Sequence, residues 1–172
     1  MFKRSAIVLI LQLMAAFFLA AAATNSATPP SRILFIGNSY TSVNNLPGIF
    51  SRMVTSAGNP TPVIEASTPE GLTLEQQTKL PATMGMIDEG NWGVVVIQGQ
   101  SQEAAMAEQY ANMRASFQQG AAELCRRIKA KSPNASIVFY QTRARHADYW
   151  QNPKADKTVG NNPTDMQARI RK

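Results

Sequence analysis

Three short apolar runs, rich in β-branched and aromatic residues, set what this chain can become. They are Ile33-Leu34-Phe35-Ile36, Val94-Val95-Val96-Ile97 and Ile137-Val138-Phe139-Tyr140. Each is too short for a buried helix, and each gives way to glycine or polar residues, so each reads as a strand covered on both faces. A weaker run from Pro62 to Ser67, with Val63 and Ile64, is a fourth candidate. The predicted strands fall at about residues 32–36, 62–67, 93–98 and 135–140.

Helical patterns fill the intervals. Leu46, Ile49, Phe50, Met53, Val54 and Ala57 recur at spacings of three and four, with Pro47 in the first turn and Gly58-Asn59-Pro60 as a stop. Leu72 to Leu80 predicts a helix with Glu75-Gln76-Gln77 toward solvent, and Pro81 to Glu89 a weaker one. Glu103 to Lys131 has no proline and aligns Met106, Tyr110, Met113, Phe117, Ala121, Leu124 and Ile128, which predicts one long helix. Residues 143–162 read as polar and irregular. Asn162-Pro163 then opens a last helix with a capping side chain followed by proline. Strands alternating with helices predict an α/β fold: a three-layer, flavodoxin-like sandwich around a parallel sheet.

Composition narrows the chemistry. The 172 residues allow one domain. One Cys excludes an intramolecular disulfide, and one Cys with one His excludes multi-cysteine and multi-histidine metal sites. Cys125, on the long helix, reads as a packed small hydrophobe. Glu65, Glu70, Asp88 and Glu89 have no metal-ligand spacing, so no metal is expected. The net charge is +6, and it falls to a modest +4 without Lys3 and Arg4. Its densest run, Arg126-Arg127-Ile128-Lys129-Ala130-Lys131, falls at a helix end, where cations oppose the negative end of the dipole. Nucleic-acid binding is therefore not expected.

The first residues carry an export signal. Lys3 and Arg4 precede an apolar stretch from Ala6 to Ala23, interrupted only by Gln12, and Thr24 to Pro30 is polar. This is the layout of a secretory signal peptide. The expected division is a signal at 1–23, a linker at 24–31 and a domain at 32–172, with cleavage near Ala23 or Ala27. The product is periplasmic or secreted. If the signal stays uncleaved, it is the one membrane contact.

Ligands of open α/β sheets bind at the carboxyl ends of the strands. Three segments converge there: Gly37-Asn38-Ser39-Tyr40-Thr41, Pro69-Glu70-Gly71-Leu72 and Gln98-Gly99-Gln100-Ser101. A serine after a strand–glycine turn can present its hydroxyl at the mouth of the sheet, with free backbone N–H groups beside it. The same turn can equally serve as a polar cap.

Ile33 to Thr41 resembles the first block of the SGNH (GDSL-like) hydrolases, in a variant with Asn where Asp is usual. Trp92 to Ser101 resembles the third-block strand, with a glutamine-containing turn in place of G-x-N-D. Gly71 stands where the second-block glycine is expected. The resemblance covers roughly residues 32–172. It implies a serine esterase without metal or cofactor, acting on small-molecule or carbohydrate esters such as O-acetyl groups. Ser39 would be the nucleophile. The N–H groups of Ser39 and Gly71, with an amide from Gln98 or Gln100, would hold the oxyanion. The family's base is a histidine in a D-x-x-H block after a fifth strand, and the sequence contains no D-x-x-H. Its one imidazole, His146, follows the fourth strand. The expectation is a sandwich lacking its last strand and helix, with weak or no turnover. The alternative is a non-enzymatic exported module that binds a small polar ligand at the same strand ends.

Overall fold

The computed structural model describes residues 32–172. The expected signal at 1–23 and linker at 24–31 lie outside the described residues. Four parallel strands form one sheet in the order β2-β1-β3-β4. They are β1 (Arg32–Ile36), β2 (Val63–Ser67), β3 (Val94–Ile97) and β4 (Ser136–Phe139). The helices are α1 (Ser39–Ser42), α2 (Leu46–Ser56), α3 (Leu74–Gln77), α4 (Pro81–Glu89), α5 (Glu103–Ala107), α6 (Ala111–Lys131), α7 (Ala147–Gln151) and α8 (Pro163–Ile170). The architecture is the expected α/β sandwich.

Strand alternation sorts the core. Leu34, Ile36, Val95 and Ile97 face a layer that contributes Leu74, Ile87, Leu124 and Ile128, all fully buried. Burying each such side chain contributes roughly 1.5–3 kcal/mol. Cys125 packs at the margin of this cluster, where burial pushes its thiol up. On the opposite face Phe35 meets Phe50 of α2 edge to face, with ring centroids 6.1 Å apart. That face is covered less completely. Val94 and Val96 are half-buried, and Met53 and Val138 are exposed. Among the described residues β4 pairs with β3 alone.

At the amino end of the sheet, Arg32 lies over the buried Trp92 ring, 4.0 Å from its centroid, and pairs with Glu65 and Glu89. Trp92 Nε1 donates to Met86 O at 2.9 Å. The basic end of α6 is neutralised where it stands: Arg126 and Arg127 pair with Glu123, Lys131 with Asp88, and Lys129 donates to Pro133 O and Ala135 O.

Three expectations need correction. Glu103 to Lys131 is two helices rather than one. The break at Glu108-Gln109-Tyr110 has neither glycine nor proline. It is held by Arg114, whose guanidinium donates to Ala107 O and Glu108 O, capping α5 from inside α6. Gln77 is buried, not solvent-facing, because α3 is a single capped turn set against the sheet. Residues 143–162 are not wholly irregular. They hold α7 and a 3₁₀ turn at Lys157–Val159, which pack Val159 with Ala105, Met166 and Ile170 in a second cluster. Trp150, half-buried at the edge of that cluster, meets Tyr149 edge to face at 5.1 Å.

Candidate active site

The chain runs from β1 to the outer strand β2, then returns past β1 to β3. The order therefore reverses between β1 and β3, the position at which doubly wound sheets bind ligands. The register brings the strand ends level: Ile36 lies opposite Ser67 and Ile97, and Ile97 opposite Phe139. The ladder continues one step further, with Gly37 N–H donating to Ser67 O, Gln98 N–H to Ile36 O and Tyr140 N–H to Ile97 O. Ser39, Gly71, Gln98 and the segment after β4 thus emerge on one rim.

The turn that carries Ser39 is built from buried polar groups. Asn38 is extended and caps α1, its Oδ1 accepting from Tyr40 N–H at 3.1 Å. Ser39 is the first helical residue, where N–H groups have no partner within the helix. Its N–H makes no hydrogen bond to the described residues. Gln98 lies beneath the turn and is 1% exposed. Its Oε1 accepts from Asn38 N–H at 3.1 Å and from Thr41 Oγ1 at 2.9 Å. Because Asn38 N–H can only donate, the amide orientation is fixed, and Nε2 turns to Gly99 O. Gly37 is required here by space: a Cβ would stand 2.5 Å from Thr41 Oγ1 and 2.8 Å from Gln98 Oε1.

A second buried chain supports the turn from the other side. Gln77 Nε2 donates to Gly37 O at 2.6 Å. Thr83 Oγ1 donates to Gln77 Oε1 and also meets Ser67 Oγ at 2.8 Å. Glu103, 2% exposed, accepts from Leu74 N–H at 3.4 Å and Gln100 N–H at 3.2 Å through Oε2, which ties the segment after β2 to the segment after β3. Its other oxygen has no partner, and burial pushes its carboxyl above the usual range. Sequence reasoning missed Gln77 and Glu103. Both are polar residues in helical patterns, where solvent exposure is the ordinary expectation.

Gly71 reaches the site through its neighbour: Asn38 Nδ2 donates to Leu72 O at 3.4 Å. Gly71 is exposed and has φ +71°, a left-handed conformation that glycine adopts freely, and its N–H makes no hydrogen bond to the described residues. The two glutamines part company. Gln98 points under the Ser39 turn. Gln100 lines a separate, mostly apolar cavity with Phe117 and Phe139, and its Oε1 accepts from Gln102 and Glu103 N–H. The strand alternation that would aim both alike ends at Ile97. Gln98 Nε2 is engaged by Gly99 O and Gln100 Nε2 by Gln102 Oε1, so each keeps at most one amide proton for a ligand.

Ser39 opens into a cavity of about 470 Å³ whose walls include Tyr40, Leu46, Ile49, Tyr140 and Arg143. One wall is the Val43–Asn45 turn, where Asn44 and Asn45 have φ of 61° and 52°. Asparagine is among the few side chains that tolerate this region. Arg143, missed in the sequence, enters because it follows β4 at the same rim. His146 does not line the cavity. Its side chain is 73% exposed, and it caps α7 with Nδ1 3.2 Å from Asp148 Oδ2.

No protein-family model matches the chain, and no curated protein matches it in sequence. Solved structures do match in fold. A DUF4886 family protein from Bacteroides uniformis superposes with a TM-score of 0.63 at 15% identity, over 81% of this chain and 59% of that one. A structure described as a GDSL-like lipase from Parabacteroides merdae gives 0.54 at 15% identity, over 81% and 71%. TesA gives 0.50 at 16% identity, over 74% and 67%. The chain therefore spans 59% of the length of the Bacteroides structure and has the fold of GDSL-like hydrolases.

Proposed function

We propose that this chain is an exported serine esterase of SGNH type, acting on acyl esters, with carbohydrate O-acetyl groups as the substrate class. The observation that carries the reading is Ser39. It sits at the start of a helix at the topological switch point, with an uncommitted N–H, at the mouth of a cavity, on a turn locked by Gln98 and Gln77. Ser39 Oγ attacks the acyl carbonyl. The N–H groups of Ser39 and Gly71 receive the developing oxyanion, and each such donor is worth about 3 kcal/mol where it has been removed from an enzyme. Gln98, beneath the Ser39 turn, adds a third donor through its remaining proton, whereas Gln100 faces a separate cavity. No cofactor enters the scheme.

The base is the open position in this reading. Serine needs a neighbouring base to become a nucleophile, and His146 stands exposed outside the Ser39 cavity. Turnover by these residues is therefore weak. That same observation favours the second reading, a module that binds a small polar ligand at the rim without turning it over. A fluorophosphonate active-serine probe with a p-nitrophenyl acetate assay separates the two. Labelling that disappears in Ser39→Ala supports the esterase. No labelling, or labelling that survives Ser39→Ala, refutes it. The export part of the reading predicts a mature amino terminus between Thr24 and Pro29, and sequencing that begins at Met1 would overturn it.

A further inference from the structure

Arg143 lines two cavities at once: that of Ser39, and a shallow groove of about 400 Å³ that also contains Arg145, Arg171, Thr164 and Gln167. The groove's lining includes no carboxylate. Arg143 and Arg171 form no ion pair or side-chain hydrogen bond with the described residues. The Arg145 guanidinium lies over the Tyr149 ring at 5.2 Å, with its Nε sequestered and unpartnered. Asp165 pairs with Arg169 and Asn161, and Asp148 with His146, while Asp156 accepts from Thr158 and also feels the Arg145 charge. The three cations are gathered by backbone contacts. Ala144 N–H donates to Gln167 Oε1 at 2.9 Å and Arg145 N–H to Met166 Sδ, which seats the segment after β4 on α8. Elsewhere in this chain clustered cations are matched by acids, as at Glu123 with Arg126 and Arg127. Arg143 and Arg171, without a carboxylate partner, repel one another and add nothing to folding, whereas a guanidinium is well matched to carboxylates.

We propose that the Arg143–Arg145–Arg171 groove binds an anionic polysaccharide, a uronate-rich chain whose carboxylates lie along the arginines while its ester reaches Ser39. The substrate part rests on the esterase reading; the binding part does not. One feature favours sugar acids over nucleic acid: Arg143 is shared with the Ser39 cavity, which on the esterase reading takes an acyl ester.

The test is binding of the full-length Ser39→Ala protein to polygalacturonate, dextran and single-stranded DNA, by calorimetry at low and high salt. Polygalacturonate is expected to bind, dextran not, and high salt to weaken the binding. Arg143→Gln with Arg171→Gln should lower affinity roughly tenfold. Arg52→Gln with Lys154→Gln, the same charge change elsewhere, should leave it within about twofold. Because Arg145 is packed against Tyr149, the double variant of the two exposed arginines decides the matter, and Arg145→Gln is added only if it folds. Equal binding by the groove variant and wild type, an equal loss in the control pair, or tighter binding of DNA than of polygalacturonate would each overturn the proposal. Hydrolysis of p-nitrophenyl acetate by wild type is scored separately. Its failure would remove the esterase reading and leave the binding result standing.

Discussion

The turn after β1 and the segment after β4 leave the sheet at the same rim, and they are built in opposite ways. In the first, Asn38, Thr41, Gln77 and Gln98 are buried, and each is hydrogen-bonded to another part of the rim. In the second, Tyr140, Gln141, Arg143 and His146 are exposed, and the contacts that hold the segment are few, such as Trp150 Nε1 to Arg145 O at 3.3 Å. The position of Ser39 is therefore a property of the core. What faces it across the cavity belongs to a surface segment that can change with little loss of stability.

The largest expected effect tests this division on activity. Ser39→Ala should remove probe labelling and the serine-dependent part of ester hydrolysis altogether, a part that is small because no base lines the Ser39 cavity. His146→Ala should change either by less than about twofold, as an exposed group outside the cavity. If His146→Ala matches Ser39→Ala, the loose segment supplies the base and the contrast fails.

Stability gives the next effect. Gln98→Ala leaves Asn38 N–H and Thr41 Oγ1 without their buried acceptor, at about 1–3 kcal/mol per group. Urea unfolding should show a loss of about 3 kcal/mol for Gln98→Ala. For His146→Ala, the loss of a capping side chain, it should be at most about 1 kcal/mol. A smaller loss for Gln98→Ala than for His146→Ala would mean that the turn is not locked as described.

A third measurement sharpens the comparison through pH. Burial raises the Glu103 carboxyl above the ordinary carboxylate range. Between the ordinary and the raised value, the folded protein holds a proton that the unfolded chain has released. Stability therefore falls as pH rises through that interval. Glu103→Gln keeps an acceptor for Leu74 and Gln100 N–H but has no proton to lose. Wild type and variant should be alike near about pH 4, with the variant the more stable at neutral pH. A wild type that gains stability on the variant as pH rises would contradict the burial of that carboxyl. The smallest effect belongs to the loose side: Asp148→Asn, in the exposed pair with His146, should leave the unfolding curve unchanged.

The same contrast decides what could be read in the sequence. The strands were legible because runs such as Val94 to Ile97 carry their own signal, and the ends found in the structure fall within two residues of those expected. Ser39 was legible because a strand, a glycine and a serine are adjacent in the chain. Gln77 and Glu103 were not. Their burial comes from partners distant in sequence, Gly37 in one case and Leu74 in the other, and nothing in a local helical pattern marks a polar side chain that will be enclosed. The helix break at residues 108–110 was hidden for a related reason, because the residue that stabilises it, Arg114, is an ordinary helix former. Arg143 gave one faint signal, a cation shortly after a predicted strand, and its place beside Ser39 follows only from the register of β3 and β4.

The chain has two tryptophans, one at the base of the sheet and one in the segment after β4. Trp92 is enclosed under Arg32 at the amino end of the sheet, while Trp150 sits half-buried beside Tyr149 in the segment after β4. The molecule thus carries its own pair of optical reporters. In Trp150→Phe the remaining emission comes from an indole shielded from water, and in Trp92→Phe from one in partial contact with it. Followed separately during unfolding, the two emissions report whether the segment after β4 lets go before the sheet does or together with it.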